Sequence, residues 1–187
     1  ALPAAAQPVV NESSFWAAEV ASGQMDPAVD RIPNTPLIVD LAAKGREYGT
    51  QGGTLRTMVT RSKDVRQMVV YGYARLVGYD HNYELRADIL RDYEEDETGR
   101  IFTLHLRPGH RWSNGMPFTS EDFRYWWESV ANNPELSPNG PPEIMRVGED
   151  LGTMSFPDEY TVVVEFPRAN PVFIQSLAQA APPFIYR

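Results

Sequence analysis

Apolar residues recur along this chain at two spacings, and the spacing changes where turn-forming residues fall. Between Arg100 and Arg107, residues Phe102, Leu104 and Leu106 alternate with Ile101, Thr103 and His105, which predicts a strand with one strongly apolar face. Pro108 and Gly109 stop it, since proline has no amide donor and glycine accepts positive φ. Ser113, Asn114 and Gly115 signal a second turn. Beyond it the spacing becomes helical: Phe123, Trp126, Trp127 and Val130 fall at i, i+3, i+4 and i+7, the stripe of a helix lying on a core. Thr119 is placed to cap that helix, with Asp122 where a capping box has its acceptor. Pro134 closes it.

The rest of the chain reads less sharply. Residues 14–22 predict a short helix, and the proline-bearing stretch to 40 wraps the surface without regular structure. Residues 41–51, with their glycine pairs, form a linker into a strand at 53–59. Asp64 can cap a helix over 65–77, with Gln67 at the capping-box position and Met68, Val69, Leu76 and Val77 among its buried residues. A helical turn near 86–90 leads into a hairpin formed by 91–93 and 100–102. Residues 133–150 hold Pro134, Pro138, Pro141 and Pro142 and form the largest loop. A strand begins at Thr161, and Asn170 with Pro171 opens a helix running to about residue 180. There is no internal repeat. Mixed strands and helices give an α/β class, in the α+β sense.

The run at 105–123 resembles the signature of the family 5 extracellular solute-binding proteins, the peptide- and nickel-type receptors of bacterial ABC importers. A typical member reads LRPGVKWSDGTPFTAEDV, and this chain reads LRPGHRWSNGMPFTSEDF. Residues 52–59 are similar to the family's GGTLR opening strand, and 71–80 to the helix and short strand that follow it, written YEGLVRYD. Residues 15–39 look like an N-terminal extension of longer members, and 157–166 like the phrase DDYTVVFTL. One departure is that the Leu-Asp-Pro linker of many members is replaced by the shorter Thr60-Arg61-Ser62-Lys63-Asp64-Val65-Arg66.

The resemblance implies a periplasmic-binding-protein-like type II fold, incomplete, holding the opening strand of the first lobe and the smaller subdomain inserted into it. Family members are much longer, so the chain is expected to be a fragment or one part of a cleaved protein. The organisation is then a disordered start or signal-peptide remnant at 1–13, an N-terminal extension and linker at 14–51, and a partial first lobe at 52–187. The implied function is the substrate-binding component of an ABC importer, capturing a solute between two lobes and delivering it to a permease in the inner membrane. Peptides are the commonest solutes of the family. By analogy, the residues facing the cleft are Arg61, Lys63, Asp64, Asn139 and Gly140. The remaining C-terminal part of the same protein is an expected partner, and most solute contacts would lie there. The alternative is a sensory or protein-interaction module with the same fold and no transport role.

Composition narrows the chemistry. The net charge of −8 argues against nucleic acid as a partner, because phosphate binding needs clustered Lys and Arg. Without cysteine there is no disulfide, thiol nucleophile or thiolate metal site. No run approaches the roughly eighteen apolar residues of a membrane span. The Ala1-Leu2-Pro3-Ala4-Ala5-Ala6-Gln7 start resembles the cleavage end of a signal peptide, in keeping with a periplasmic location. Glu94-Glu95-Asp96-Glu97 lacks the spacing of a calcium loop and reads as a solvated hairpin tip. His81, His105 and His110 lack metal-ligand spacing, and Ser113 and Ser120 lack a nucleophile elbow. Adjacent Glu121 and Asp122 are turned about 100° apart on a helix and are not placed for two-carboxylate hydrolysis. Trp112, Trp126 and Trp127 read as core. The sequence therefore predicts no enzyme, no cofactor and no metal.

Overall fold

The computed structural model describes residues 10–50, 52–66 and 74–179. Ser13 accepts a hydrogen bond from the Phe15 amide and starts a 3₁₀ turn, Ser14–Trp16, that continues into α1 (Ala17–Ala21). The Glu12 carboxylate binds the Ala28 amide (2.8 Å) and the Arg31 guanidinium (2.6 Å), which fixes the one-turn helix α2 (Ala28–Arg31) beside the start of the chain. Residues 10–13 are thus held by Glu12 rather than loose, and the stretch to 40 does contain one helical turn. Residues 1–9 lie outside the described residues.

Two expectations fail in the next segment. Residues 52–59 form no strand: a strand needs a ladder, no described residue pairs with this one, and Leu55 and Met58 stand exposed. Asp64 lies inside a 3₁₀ turn, Ser62–Arg66. Gln67, Met68 and Val69 of the expected helix lie outside the described residues. Leu76 and Val77 are buried as expected, but Val77 opens strand β1 (Val77–Tyr79), so no helix reaches it. β2 (Leu85–Ala87) pairs antiparallel with β1 and replaces the helical turn expected at 86–90; Leu85 and Ala87 sit inward while Arg86 points out, a strand period that pairing enforces.

The core follows the period-2 reading. β3 (Leu90–Glu95) and β4 (Ile101–Leu106) form the expected hairpin. Along β4, Phe102, Leu104 and Leu106 are buried while Ile101, Thr103 and His105 are not. The next helix, α3 (Ser120–Tyr125), passes into a π turn, Trp126–Ala131, where the Asn132 amide reaches the Trp127 carbonyl (3.2 Å). The widened turn inserts one residue and ends the helix before Pro134. The loop expected over 133–150 contains a 3₁₀ turn, Glu143–Met145, and a small hairpin of β5 (Arg146–Val147) and β6 (Asp150–Leu151).

β7 (Thr153–Asp158) and β8 (Thr161–Glu165) complete an antiparallel sheet in the order β3-β4-β8-β7. β7 is an edge strand, which is why it tolerates Pro157 within a register shift between Ser155 and Asp158. α3 lies on β7 and β8. The final helix α4 (Phe173–Ser176) is one turn, shorter than expected; Asn170 supplies its carbonyl to the Phe173 amide (3.2 Å) rather than a side-chain cap.

The buried face of β4 ends in a cluster of three rings, with Phe102 4.8 Å from Phe173 and 6.0 Å from Phe166, and Phe166 5.1 Å from Phe173. All three are fully buried, and the two edge-on contacts of Phe166 add to the gain from the area removed from water. Phe102→Ala should therefore lower unfolding free energy by about 3–5 kcal/mol. Urea denaturation checks this; a loss below about 1 kcal/mol would mean that the cluster does not anchor the sheet.

Candidate functional site

The signature run builds a rigid corner at the end of β4. The Pro108-Gly109 turn closes with the His110 amide on the Arg107 carbonyl (3.2 Å), and Arg111 bridges to Pro117 around the tighter turn at 112–115. Thr119 and Asp122 form the predicted capping box. One Asp122 oxygen accepts from the Thr119 amide (2.9 Å) and the other from the Trp112 indole (3.1 Å), so a single carboxylate joins the turn to the helix start. Ser120 secures the same corner to the β7–β8 turn through the Asp158 carbonyl (2.7 Å). Trp112 and Trp127 pack against the core, and Trp126 is within it.

The N-terminal segment crosses this corner as a strap. The Asn34 amide donates to the Pro108 carbonyl (2.9 Å), and Arg107 donates from Nη1 to the Thr35 carbonyl (2.6 Å) and from Nε to the Asp88 carbonyl (3.1 Å). Gly109, at φ +82°, has no room for a side chain, since a Cβ there would lie 2.4 Å from Asn34 Oδ1. Past the crossing, the strap and the β1–β2 hairpin enclose an open groove of about 690 Å³. Leu37, Ile38 and Val39 line it from the strap and Tyr79 and Arg86 from the hairpin, with Arg91 and Arg107 also lining it. Arg86 pairs with Asp80 (3.3 Å) and Glu84.

The residues expected to face a solute sit apart from this groove's lining. Arg61 and Asp64 are brought together, by an ion pair at 3.5 Å and by the Arg61 amide on Asp64 Oδ2 (3.0 Å). Lys63 is exposed beside them. Asn139 is exposed and Gly140 closes a turn with its amide on the Ser137 carbonyl (2.8 Å). No hydrogen bond or ion pair links the two sets among the described residues. Arg107 and Arg91 were not singled out from the sequence, although an arginine directly after an apolar strand was a visible signal.

The remaining polar groups have local tasks. At the acidic tip, Asp96 Oδ1 accepts from the Arg100 (2.8 Å) and Ile101 (2.9 Å) amides and Oδ2 from the Thr98 hydroxyl (2.5 Å). The Thr98 hydroxyl first, then the Ile101 amide, pulls its pKa down from 3.8 to about 2, against some desolvation. His110 packs edge-on to Phe118 at 5.5 Å with Nδ1 buried and unpartnered, and burial pulls its pKa down, as does Arg107. Among the described residues no group of His, Asp or Glu could hold a metal ion, and no helix is long and apolar enough to cross a membrane.

The family profile described as "Bacterial extracellular solute-binding proteins, family 5 Middle" matches residues 84–186. The chain belongs to this family. It is similar to the periplasmic alpha-galactoside-binding protein of Rhizobium meliloti (strain 1021), with 26% identity over 178 residues, covering 83% of this chain and 25% of that protein. The probable deoxycholate-binding periplasmic protein YgiS of Escherichia coli (strain K12) is 27% identical over 124 residues, 66% of this chain and 23% of its own length. Among solved structures, an oligopeptide-binding protein OppA superposes with a TM-score of 0.78 at 26% identity, covering 91% of this chain and 26% of its own. The mixed α/β fold is thus that of the periplasmic binding proteins over most of this chain, and the chain spans about a quarter of the length of these relatives.

In this family 5 chain the acidic tip is therefore a capped turn. A carboxylate whose pKa is lowered by folding stabilises the native state above its unfolded value and loses that effect as pH falls through the folded one. The difference in urea midpoint between wild type and Asp96→Asn should thus hold above pH 3.8 and shrink as pH falls toward about 2. An Asp96 carboxyl NMR titration with its midpoint at the ordinary value would contradict it.

Proposed function

We propose that residues 52–187 form part of the first lobe of the solute-binding component of an ABC importer, which captures a peptide between two lobes and passes it to an inner-membrane permease. The observation that carries this reading is the superposition on an oligopeptide-binding protein over 91% of the chain at 26% identity. The relatives named for an alpha-galactoside and for deoxycholate keep other solutes in view as competitors in the test.

In this reading the protein reaches the periplasm through a signal peptide and acts without catalysis. The rest of the polypeptide supplies the second lobe and a ladder for residues 52–59, whose Leu55 and Met58 side chains are exposed here. Arg61, Lys63, Asp64, Asn139 and Gly140 contact the solute from the first lobe. Closure of two lobes by hinge motion would bring the second set of contacts onto a bound peptide.

The test is a thermal-shift series on the two-lobed protein with tripeptides, an alpha-galactoside and deoxycholate. A peptide at about a hundred times its Kd should stabilise by about 2.7 kcal/mol. Arg61→Ala and Lys63→Ala should each weaken peptide binding about tenfold, or about 1.4 kcal/mol. A shift with the galactoside or deoxycholate and none with peptides would overturn the peptide assignment. No shift with any small solute would overturn capture altogether and favour an interaction module.

A further inference from the structure

Arg107 is a cation without an acid. It is 7% exposed, and its Nε and Nη1 bonds go to neutral carbonyls, Asp88 and Thr35. No carboxylate lies within ion-pair distance of it among the described residues, and Nη2 has no partner there. The nearest acids are otherwise engaged: the Asp88 carboxylate accepts from the Arg75 amide (3.1 Å), and Asp92 pairs with Arg91 (3.0 Å). A guanidinium offers five donors in a fork suited to a carboxylate, and buried cations are ordinarily paired because an unpaired charge is costly to desolvate. Burial accordingly pulls the Arg107 pKa down, opposed by Asp88 and Asp92 and assisted by Arg91.

This side chain lines the groove of about 690 Å³, as does the exposed aliphatic run Leu37, Ile38 and Val39, with Asp40, Asp80 and Asp88 also on its lining. Cation and apolar run together select for a ligand with both characters. We propose that the groove between the strap and the β1–β2 hairpin binds a small carboxylate with an aliphatic tail, its headgroup on the Arg107 fork and its tail along Leu37 and Ile38. The site is separate from the positions assigned to solute capture and does not rest on the transport reading. Arg91, also on the groove, is already paired with Asp92.

Hexanoate, hexanol and hexylamine titrated into the ¹⁵N-labelled chain near neutral pH test this. Hexanoate should bind saturably, with shifts centred on residues 37–40, 78–79 and the Arg107 side chain, while hexylamine should not bind. Arg107→Lys should weaken hexanoate at least about tenfold, because the fork is lost while the charge stays. Arg107 also holds the strap, so a second variant is needed. Ile38→Asp, at a position 67% exposed, should abolish hexanoate binding with the melting temperature unchanged. Equal binding of hexanol and hexanoate, no saturable binding, or indifference to Ile38→Asp would each overturn the proposal.

Discussion

The described structure depends on one row of side chains, Phe102, Leu104 and Leu106 on β4. β4 has a paired strand on each side, so its backbone donors and acceptors are consumed and only its two faces are left to choose. A slip of one residue in either ladder would send the whole row to solvent. The pairing of Phe102 with Val164 and of Leu104 with Val162 on β8 puts buried residues opposite buried residues, and the ladder is fixed by that match. The segment after β4 is then constrained in turn. The chain must reverse at Pro108 and Gly109 and begin a helix at Thr119 if Phe123 and Trp126 are to reach the same core.

Charge is distributed differently from apolar burial. The chain is acidic overall, yet its groove beside the strap is lined by Arg86, Arg91, Arg107 and Lys44 alongside Asp40, Asp80 and Asp88. Several of the acids are already in use as local hydrogen-bond acceptors: Glu12 for the strap's own helix, Asp80 for the Asn82 and Glu84 amides, Asp96 for the hairpin tip, Asp122 for the cap. Such acids hold turns and helix ends, where free amides collect, so they contribute little to a binding field. Arg86 and Arg91 are each paired with acids, whereas Arg107 bonds only to neutral carbonyls among the described residues.

How far the sequence could be read tracks how local each cause is. The β4 alternation, the Thr119-Asp122 cap and the two turns of the signature depend on neighbours within a few residues, and each was legible. β1 falls within 71–80, where the family resemblance places a short strand, but β2 was not legible, because Arg86-Ala87 is a short run whose strand character comes from pairing with β1 across the Asp80 turn. β7 was not read from the sequence although Met154 and Phe156 alternate correctly; it carries Pro157, which its edge position accommodates. Residues 52–59 failed the opposite way: their composition suits a strand, but composition cannot supply the partner. The candidate solute positions came from family analogy and the strap groove from tertiary proximity of residues 37–44 to 78–107, which no spacing along the chain displays.

The same division explains why family membership stops short of the solute. The positions carrying the resemblance, from Leu106 through Phe123, are turn formers, caps and buried rings, and their geometry would serve equally under any cleft. Relatives whose names differ in ligand share this scaffold with about a quarter of residues identical, as expected when the constrained positions are those of the core. In the transport reading proposed above, solute choice falls to exposed side chains whose neighbours do not dictate them. Arg61, Lys63 and Asn139 have that character, being on the surface and free of any packing role, and so do Leu37 and Ile38 on the strap. The signature run therefore constrains where such residues are displayed, through the strap crossing at Gly109 and the corner at Asp122, while leaving their chemistry open.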